Sequence, residues 1–269
     1  MKIRTAIALL LLAMELFSCK KEDVTEFTDT PIMQSYLTPG KHFSLQLSHQ
    51  IPFSSNAQYS SDNINALTIE VTNNNVVHTL TPQGSGNYID SSLIVSEGDQ
   101  YNLSFMYNFK NVTAYTKVPS KPTSYKQSVT TITLQKMDST SGPPINVTMP
   151  DPVQLTWDNP DASYYLVVIE NMETTLEPIR SFGGGTPPGN IFKKPPTTSS
   201  GTEIRPMEFQ YFGKHRLILF HVLPDYASLY NQSSTSSQNL TNPSTSIVNG
   251  YGIFTGLNSD TLYLQVKKQ

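Results

Sequence analysis

Hydrophobic and polar residues alternate with a period of two through much of this chain. In Tyr101-Asn102-Leu103-Ser104-Phe105-Met106-Tyr107 every odd position is aromatic or apolar, and two of the three even ones are polar. That pattern predicts a strand with one buried face. Phe43 to Leu47, Leu67 to Val71 and Val153 to Trp157 repeat it. Val112 to Val118 sets Val112, Ala114, Thr116 and Val118 on one face, and Asn108-Phe109-Lys110-Asn111 joins it to the preceding strand as a hairpin. Ile32 to Leu37 reads as a first strand, ended by the turn signal Thr38-Pro39-Gly40. Two runs depart from alternation. Tyr164 to Ile169 is almost continuously apolar, which predicts a central strand buried on both faces, and Leu217 to Val222 reads as another buried strand. Strand after strand with short turns predicts a β-sandwich.

Breaks in this pattern divide the chain. A first β-sandwich module is expected over residues 31–119, a linker over 120–128 stiffened by Pro119 and Pro122, and a second β-rich module over 129–269. In the second module an apolar-x-Trp strand precedes a Tyr-rich strand, which resembles the fibronectin type III pattern. Trp157 is there expected as a packing residue, with ligand stacking as the alternative. Arg180 to Gly201 reads as one long loop around Gly183-Gly184-Gly185 and Lys193-Lys194-Pro195-Pro196, and Asn231 to Thr245 as a second polar loop. Between them Tyr226, Leu229 and Tyr230 stand at i, i+3, i+4, so Asp225 to Tyr230 is expected to form a helical turn. Leu262 to Val266 reads as a closing strand. The expected fold class is all-β, with two β-sandwich-like modules of the immunoglobulin or fibronectin type III kind, the second carrying long irregular loops and one short helix.

Composition narrows the class. Hydrophobic residues make up 37% and charged residues only 14%, with 19 prolines. Low charge with many β-branched and aromatic residues points to an ordered all-β exported protein. A formal net charge of −3 offers no basic patch, so nucleic acid is not an expected partner. The one cysteine, Cys19, has no intramolecular disulfide partner, and stability must come from the core.

The beginning of the chain carries an address. Lys2 and Arg4 precede an uncharged apolar run from Ile7 to Ala13, the layout of a secretory signal peptide and too short for a spanning helix. Leu16-Phe17-Ser18-Cys19 resembles a bacterial lipoprotein signal, with a small residue before the cysteine and an aliphatic three before it. Phe17 is bulkier than that pattern usually holds. The resemblance implies that residues 1–18 are removed, that Cys19 carries a diacylglyceryl group and an N-acyl chain such as palmitate, and that residues 19–30 are a tether. Several acyl chains on one residue give stable anchoring where one is marginal. Lys20-Lys21-Glu22-Asp23 resembles the lysine-plus-acidic tetrad of Bacteroidetes lipoproteins exported to the outer face of the outer membrane; a solvated charge run is the plainer alternative.

Four further segments agree in order with one family. They are Tyr36-Leu37-Thr38-Pro39-Gly40, Gly98-Asp99-Gln100-Tyr101-Asn102-Leu103, Val112-Thr113-Ala114-Tyr115-Thr116-Lys117-Val118-Pro119 and Asn249-Gly250-Tyr251-Gly252-Ile253-Phe254. Together with the lipoprotein start they resemble the Bacteroidetes outer-membrane lipoproteins grouped as domain of unknown function 4249 (DUF4249). The family has no established activity or catalytic residues to carry over. Its members tend to be encoded beside TonB-dependent outer-membrane transporters, which implies an accessory role at such a transporter. That implication rests on association, not on a site.

No catalytic constellation is legible. His42, His49, His78, His215 and His221 lack metal-ligand spacing, and no cysteine is placed to help, so no metal and no cofactor are expected. There is no Gly-x-Ser-x-Gly elbow, and the triple glycine lacks the Gly-Lys-Ser/Thr that a phosphate loop needs. Asp158-Asn159-Pro160-Asp161 reads as a turn, not a calcium loop. Asp138-Ser139-Thr140 resembles a Bacteroidetes O-glycosylation triplet, with Ser139 the acceptor; Asp260-Thr261-Leu262 does too, but leads into a strand. Phe182, Phe192, Tyr211 and Phe212 are candidates for a contact surface, since interfaces favour aromatics, with the module's own core as the alternative. The expectation is a non-enzymatic, surface-exposed outer-membrane lipoprotein that serves a TonB-dependent transporter; an adhesin or envelope-structural protein is the alternative.

Overall fold

A computed structural model describes residues 29–50, 62–138, 149–181, 189–232 and 245–269. The N-terminal part runs β1 (Pro31–Leu37), β2 (His42–His49), a single helical turn α1 (Asp62–Asn65), β3 (Ile69–Asn73), β4 (Val76–Thr79), β5 (Thr81–Gly84), β6 (Asn87–Ile94), β7 (Gln100–Tyr107) and β8 (Lys110–Lys117). Alternation does what it predicts: along β7 Tyr101, Leu103, Phe105 and Tyr107 are buried, and along β8 Val112, Ala114 and Thr116 are. Two tight hairpins, at Asn74-Asn75 and Asn108-Phe109, place both central residues at positive φ, the twist that suits right-handed strands.

The C-terminal part runs β9 (Lys126–Gln127), β10 (Thr131–Leu134), β11 (Met137–Asp138), β12 (Val153–Thr156), β13 (Tyr164–Asn171), β14 (Arg180–Ser181), β15 (Ile191–Lys193), β16 (Gly201–Ile204), a 3-10 turn (Pro206–Glu208), β17 (Gly213–Val222), α2 (Pro224–Gln232) and β18 (Tyr251–Lys268). The fold is all-β and sandwich-like, as the pattern implies. One sheet, β4-β3-β7-β8, faces a much longer one ordered β15-β13-β17-β18-β1-β2-β6-β5, with β10 also pairing β18. A three-stranded sheet, β16-β12-β9, stands against the C-terminal half of the long one, and β11 pairs β14 separately. Two cores result. One gathers Met33, Phe43, Ile69, Leu103 and Val112, and the other surrounds Trp157 with Tyr125, Tyr165, Leu217 and Leu264.

Strand β18 belongs to both cores. Its first residues pair in parallel with β1, from Ile32↔Tyr251 to Leu37↔Gly256, and the rest pair antiparallel with β17, from Val222↔Leu257 to Gly213↔Val266. At about 3.3 Å per residue an 18-residue strand is long enough to run through two modules. The first core therefore takes Ile247 and Phe254 from the far end of the chain. The first core is therefore not built from residues before 119 alone, and the long sheet is continuous through both cores.

Two expectations about irregular segments need correction. Residues 120–128 are folded against the second core: Tyr125 is buried, its hydroxyl donates to the Leu217 carbonyl at 3.3 Å, and Ser124 donates to the Asp158 carboxylate. Residues 180–201 are not a single loop. Within them β14 and β15 pair with β11 and β13, and Thr197 bridges Tyr165. Glycines and prolines punctuate this stretch, but backbone amides from an adjacent strand edge recruit its short apolar pieces.

Candidate functional site

Successive side chains of a strand point to opposite faces. In β13 the odd residues Tyr165, Val167 and Ile169 enter the second core, and the even residues Leu166 and Val168 face the other way. In β17 Leu217 and Leu219 enter the core while Ile218, Phe220 and Val222 join the outer set. Direct pairing of Leu166 with Phe220 and Val168 with Ile218 makes these four side chains one apolar floor.

Leu166, Val168 and Ile218 of that floor are buried. Helix α2 packs Ala227, Tyr226 and Tyr230 onto it. Nine helical residues span about 14 Å, whereas the ten residues of β17 span about 33 Å. A groove of about 480 Å³ lies over the floor beside the helix. Tyr226 forms one wall and Tyr36 of β1 extends it, the two rings meeting edge to face at 6.0 Å. Ile191 and Lys193 of β15 form the opposite lip. The far end is polar: Arg216 Nε donates to Glu170 Oε2 at 2.6 Å. Lys193 has no acidic partner within salt-bridge distance among the described residues.

The helical wall is tethered. Asp225 Oδ1 accepts the Tyr226 amide at 2.7 Å and the Thr255 hydroxyl at 3.0 Å, which fixes the first turn of α2 to β18. Burial pushes the Asp225 carboxyl above its ordinary range, and those hydrogen bonds pull it back. Burial likewise raises the Tyr226 phenol, with Tyr230 beside it adding to the effect. A cleft of this volume with an apolar floor, aromatic wall and a few polar groups has the make-up of a small-molecule site.

The residues singled out from sequence fall elsewhere. Cys19, Lys20, Lys21, Glu22, Asp23, Ser139 and Phe182 lie outside the described residues. Tyr211 and Phe212 are only 3% and 5% exposed, so they fill the interior and do not present a contact surface. Phe192 pairs with Ile169, faces inward and packs half-buried on the second core. For Phe192, Tyr211 and Phe212 the core alternative therefore holds over the contact surface. Trp157 is 3% exposed between Tyr125 and Tyr165 and is a core residue. Asp158 accepts from Ser124 and serves the turn. Among the described residues no three His, Cys, Asp or Glu side chains are grouped to hold a metal ion.

Tyr165 to Ile169 are buried at both parities, as the continuous apolar run predicts. The groove itself is not legible in the sequence, because local periodicity does not say which elements meet over the outer face of a strand.

Comparison with known proteins adds one family. The family model described as "Domain of unknown function (DUF4249)" matches residues 21–262. No curated protein matches the chain. Among solved structures the chain is similar to the apo structure of Bacteroides uniformis beta-glucuronidase 3, at 8% identity and a TM-score of 0.22, over 87% of this chain and 25% of that one. The chain spans about a quarter of that protein's length, and a likeness of this degree carries nothing about activity.

Proposed function

The chain belongs to the DUF4249 family, and on that premise we propose that it is a lipid-anchored, non-enzymatic binding protein of the outer-membrane surface, acting beside a TonB-dependent transporter. Cys19 carries the anchor and Lys20 to Asp23 direct the chain outward. The groove on β13 and β17 holds the ligand, an amphiphile with an apolar body and an acidic end. The single observation behind the binding role is that groove, with its apolar floor on β13 and β17 and its aromatic wall. A cleft with a buried apolar floor, an aromatic wall and a few polar groups at its rim is the usual make-up of a small-molecule site. Lys193 at the lip supplies the charge that an acidic end would meet.

Two measurements test this. Titration with the anionic apolar dye anilinonaphthalene sulfonate is expected to show one saturable site. Val168→Glu places a carboxylate on the floor beside Lys193, its cross-strand partner, and is expected to form a local ion pair there while abolishing dye binding. Unchanged binding in that variant places the dye elsewhere and removes the groove from the proposal. Affinity capture of the lipidated chain from detergent-solubilised outer membranes is expected to recover a TonB-dependent transporter. Recovery of none, with cell adhesion lost on deletion, favours the adhesin reading instead.

A further inference from the structure

The β7–β8 hairpin ends in a residue that folding alone does not explain. Phe109 is 102% exposed, and it sits at φ +62° after Asn108 at φ +46°. A turn with two left-handed residues favours Asn and Gly, and a bulky side chain there costs roughly 1–2 kcal/mol. The same chain makes the same turn at Asn74-Asn75 with the tolerant residue at both positions. Aromatic bulk at the other tip is therefore not a requirement of the turn. Met106 and Val248, both more than half exposed, and Lys110 lie with it at this end of the module.

The position of the tip gives it a partner. Thr113 bridges Val248, the Asn249 side chain donates to the Asn111 carbonyl at 2.8 Å, and a Cβ on Gly250 would stand 3.3 Å from both the Pro31 carbonyl and Val112. Pro31, where β1 begins, is thus beside the base of the hairpin. Phe109 lies three residues beyond Val112, about 10 Å further out. Cys19 precedes Pro31 by twelve residues, which span at most about 40 Å. We infer that the Phe109 tip is a second membrane contact, an aromatic wedge with Lys110 at the headgroup level, which seats the first module on the phospholipid surface to which Cys19 tethers it. The inference rests on the lipoprotein reading above. It extends that reading from an anchor to an orientation, and an aromatic ring beside a lysine is the composition that interfacial segments use.

The test uses the full mature chain, lipidated on Cys19 and reconstituted into vesicles of phosphatidylethanolamine and phosphatidylglycerol. Phe109→Trp changes an exposed side chain only. Val76→Trp, at the opposite hairpin of the same sheet, is the matched control. After subtraction of the Trp157 signal, the Phe109→Trp emission is expected to shift to the blue and to fall roughly twofold with brominated acyl chains, while the control stays water-like. If both stay water-like on vesicles that carry the chain through flotation, the wedge is refuted and the anchor stands. If the chain does not float with the vesicles, the anchor reading fails and the wedge with it. Shielding of the tip in native outer membranes but not in protein-free vesicles also overturns the proposal, in favour of a protein partner.

Discussion

Arg216 and Glu170 face each other directly across β17 and β13, with Arg216 Nε 2.6 Å from Glu170 Oε2 at the polar end of the groove. The pair is partly open to water, with Arg216 43% and Glu170 23% exposed, so it contributes at most about 1 kcal/mol to stability. Its larger effect is on charge, because it cancels a cation that an acidic ligand would meet. Glu170→Gln is expected to lower stability by less than about 1 kcal/mol in urea titration and to tighten an anionic apolar dye roughly fivefold, which is what about 1 kcal/mol is worth. A neutral dye of the same size is expected to bind as before.

Two glycines let β18 pass between the cores. Gly252 runs at φ +104°, and a Cβ there would fall within the Met33 carbonyl's van der Waals shell. At Gly256 a Cβ would lie 2.6 Å from the Lys117 carbonyl oxygen and 2.7 Å from Val118 Cα. In both cases the obstacle is backbone, which cannot step aside as a side chain can. Alanine at either position is expected to cost more than about 3 kcal/mol. Gly40 has a positive φ but open space around it, so Gly40→Ala is expected to cost only about 1 kcal/mol. Urea midpoints at constant slope compare the three, and equal losses at all of them refute the close-approach argument.

Trp157 is buried between Tyr125, at 6.4 Å, and Tyr165, at 5.6 Å, and its indole N–H meets no acceptor among the described residues. Removing the whole ring leaves a large cavity, so Trp157→Ala is expected to cost about 3–5 kcal/mol. Trp157→Phe removes an unpaired donor along with part of the ring. It is expected to cost clearly less than the alanine change, because the lost packing is offset by relief of a polar group without a partner. Chemical denaturation of the two variants decides this, and equal losses mean that the indole N–H is satisfied in solution.

Strand identity was legible wherever one face is wet. Tyr101 to Tyr107 and Val112 to Val118 show their buried faces in the residue string, because water and core demand opposite residues at alternate positions. Pairing across long separations was not legible. Tyr251-Gly252-Ile253-Phe254 stood out as a motif, yet nothing in it says that Tyr251 pairs with Ile32, more than two hundred residues earlier, because register depends on a partner that local periodicity does not contain. The groove was hidden for a related reason. Leu166, Val168 and Ile218 are as apolar and as buried as core residues, and which elements line the groove over them depends on tertiary pairing that the residue string does not contain. Tyr36 joins them from the first module through the parallel pairing of β1 with β18.

His215 should make stability fall in mild acid. Its Nδ1 donates to the Gly213 carbonyl at 3.1 Å, and its Nε2 lies 3.3 Å from Asn171 Nδ2. Asn171 cannot turn its amide around, since Nδ2 also donates to the Phe212 carbonyl at 2.9 Å and Oδ1 accepts the Glu173 amide at 2.9 Å. Nε2 must therefore accept, and a proton placed there would face another donor. Phe209 closes the site edge-on at 5.3 Å. Burial pushes the imidazole below its ordinary value of 6.5, opposed by the Gly213 carbonyl and the Glu173 carboxylate. With the folded value below the unfolded one, the unfolded chain binds more protons in the interval between them. The stabilisation from neutral His215 is then complete above about pH 6.5 and is lost progressively as pH falls through that interval. His215→Gln keeps a neutral side chain with an acceptor and is expected to flatten this fall. Urea midpoints of the two proteins between about pH 7 and about pH 5 measure the difference. Parallel curves would show that His215 does not carry the acid sensitivity.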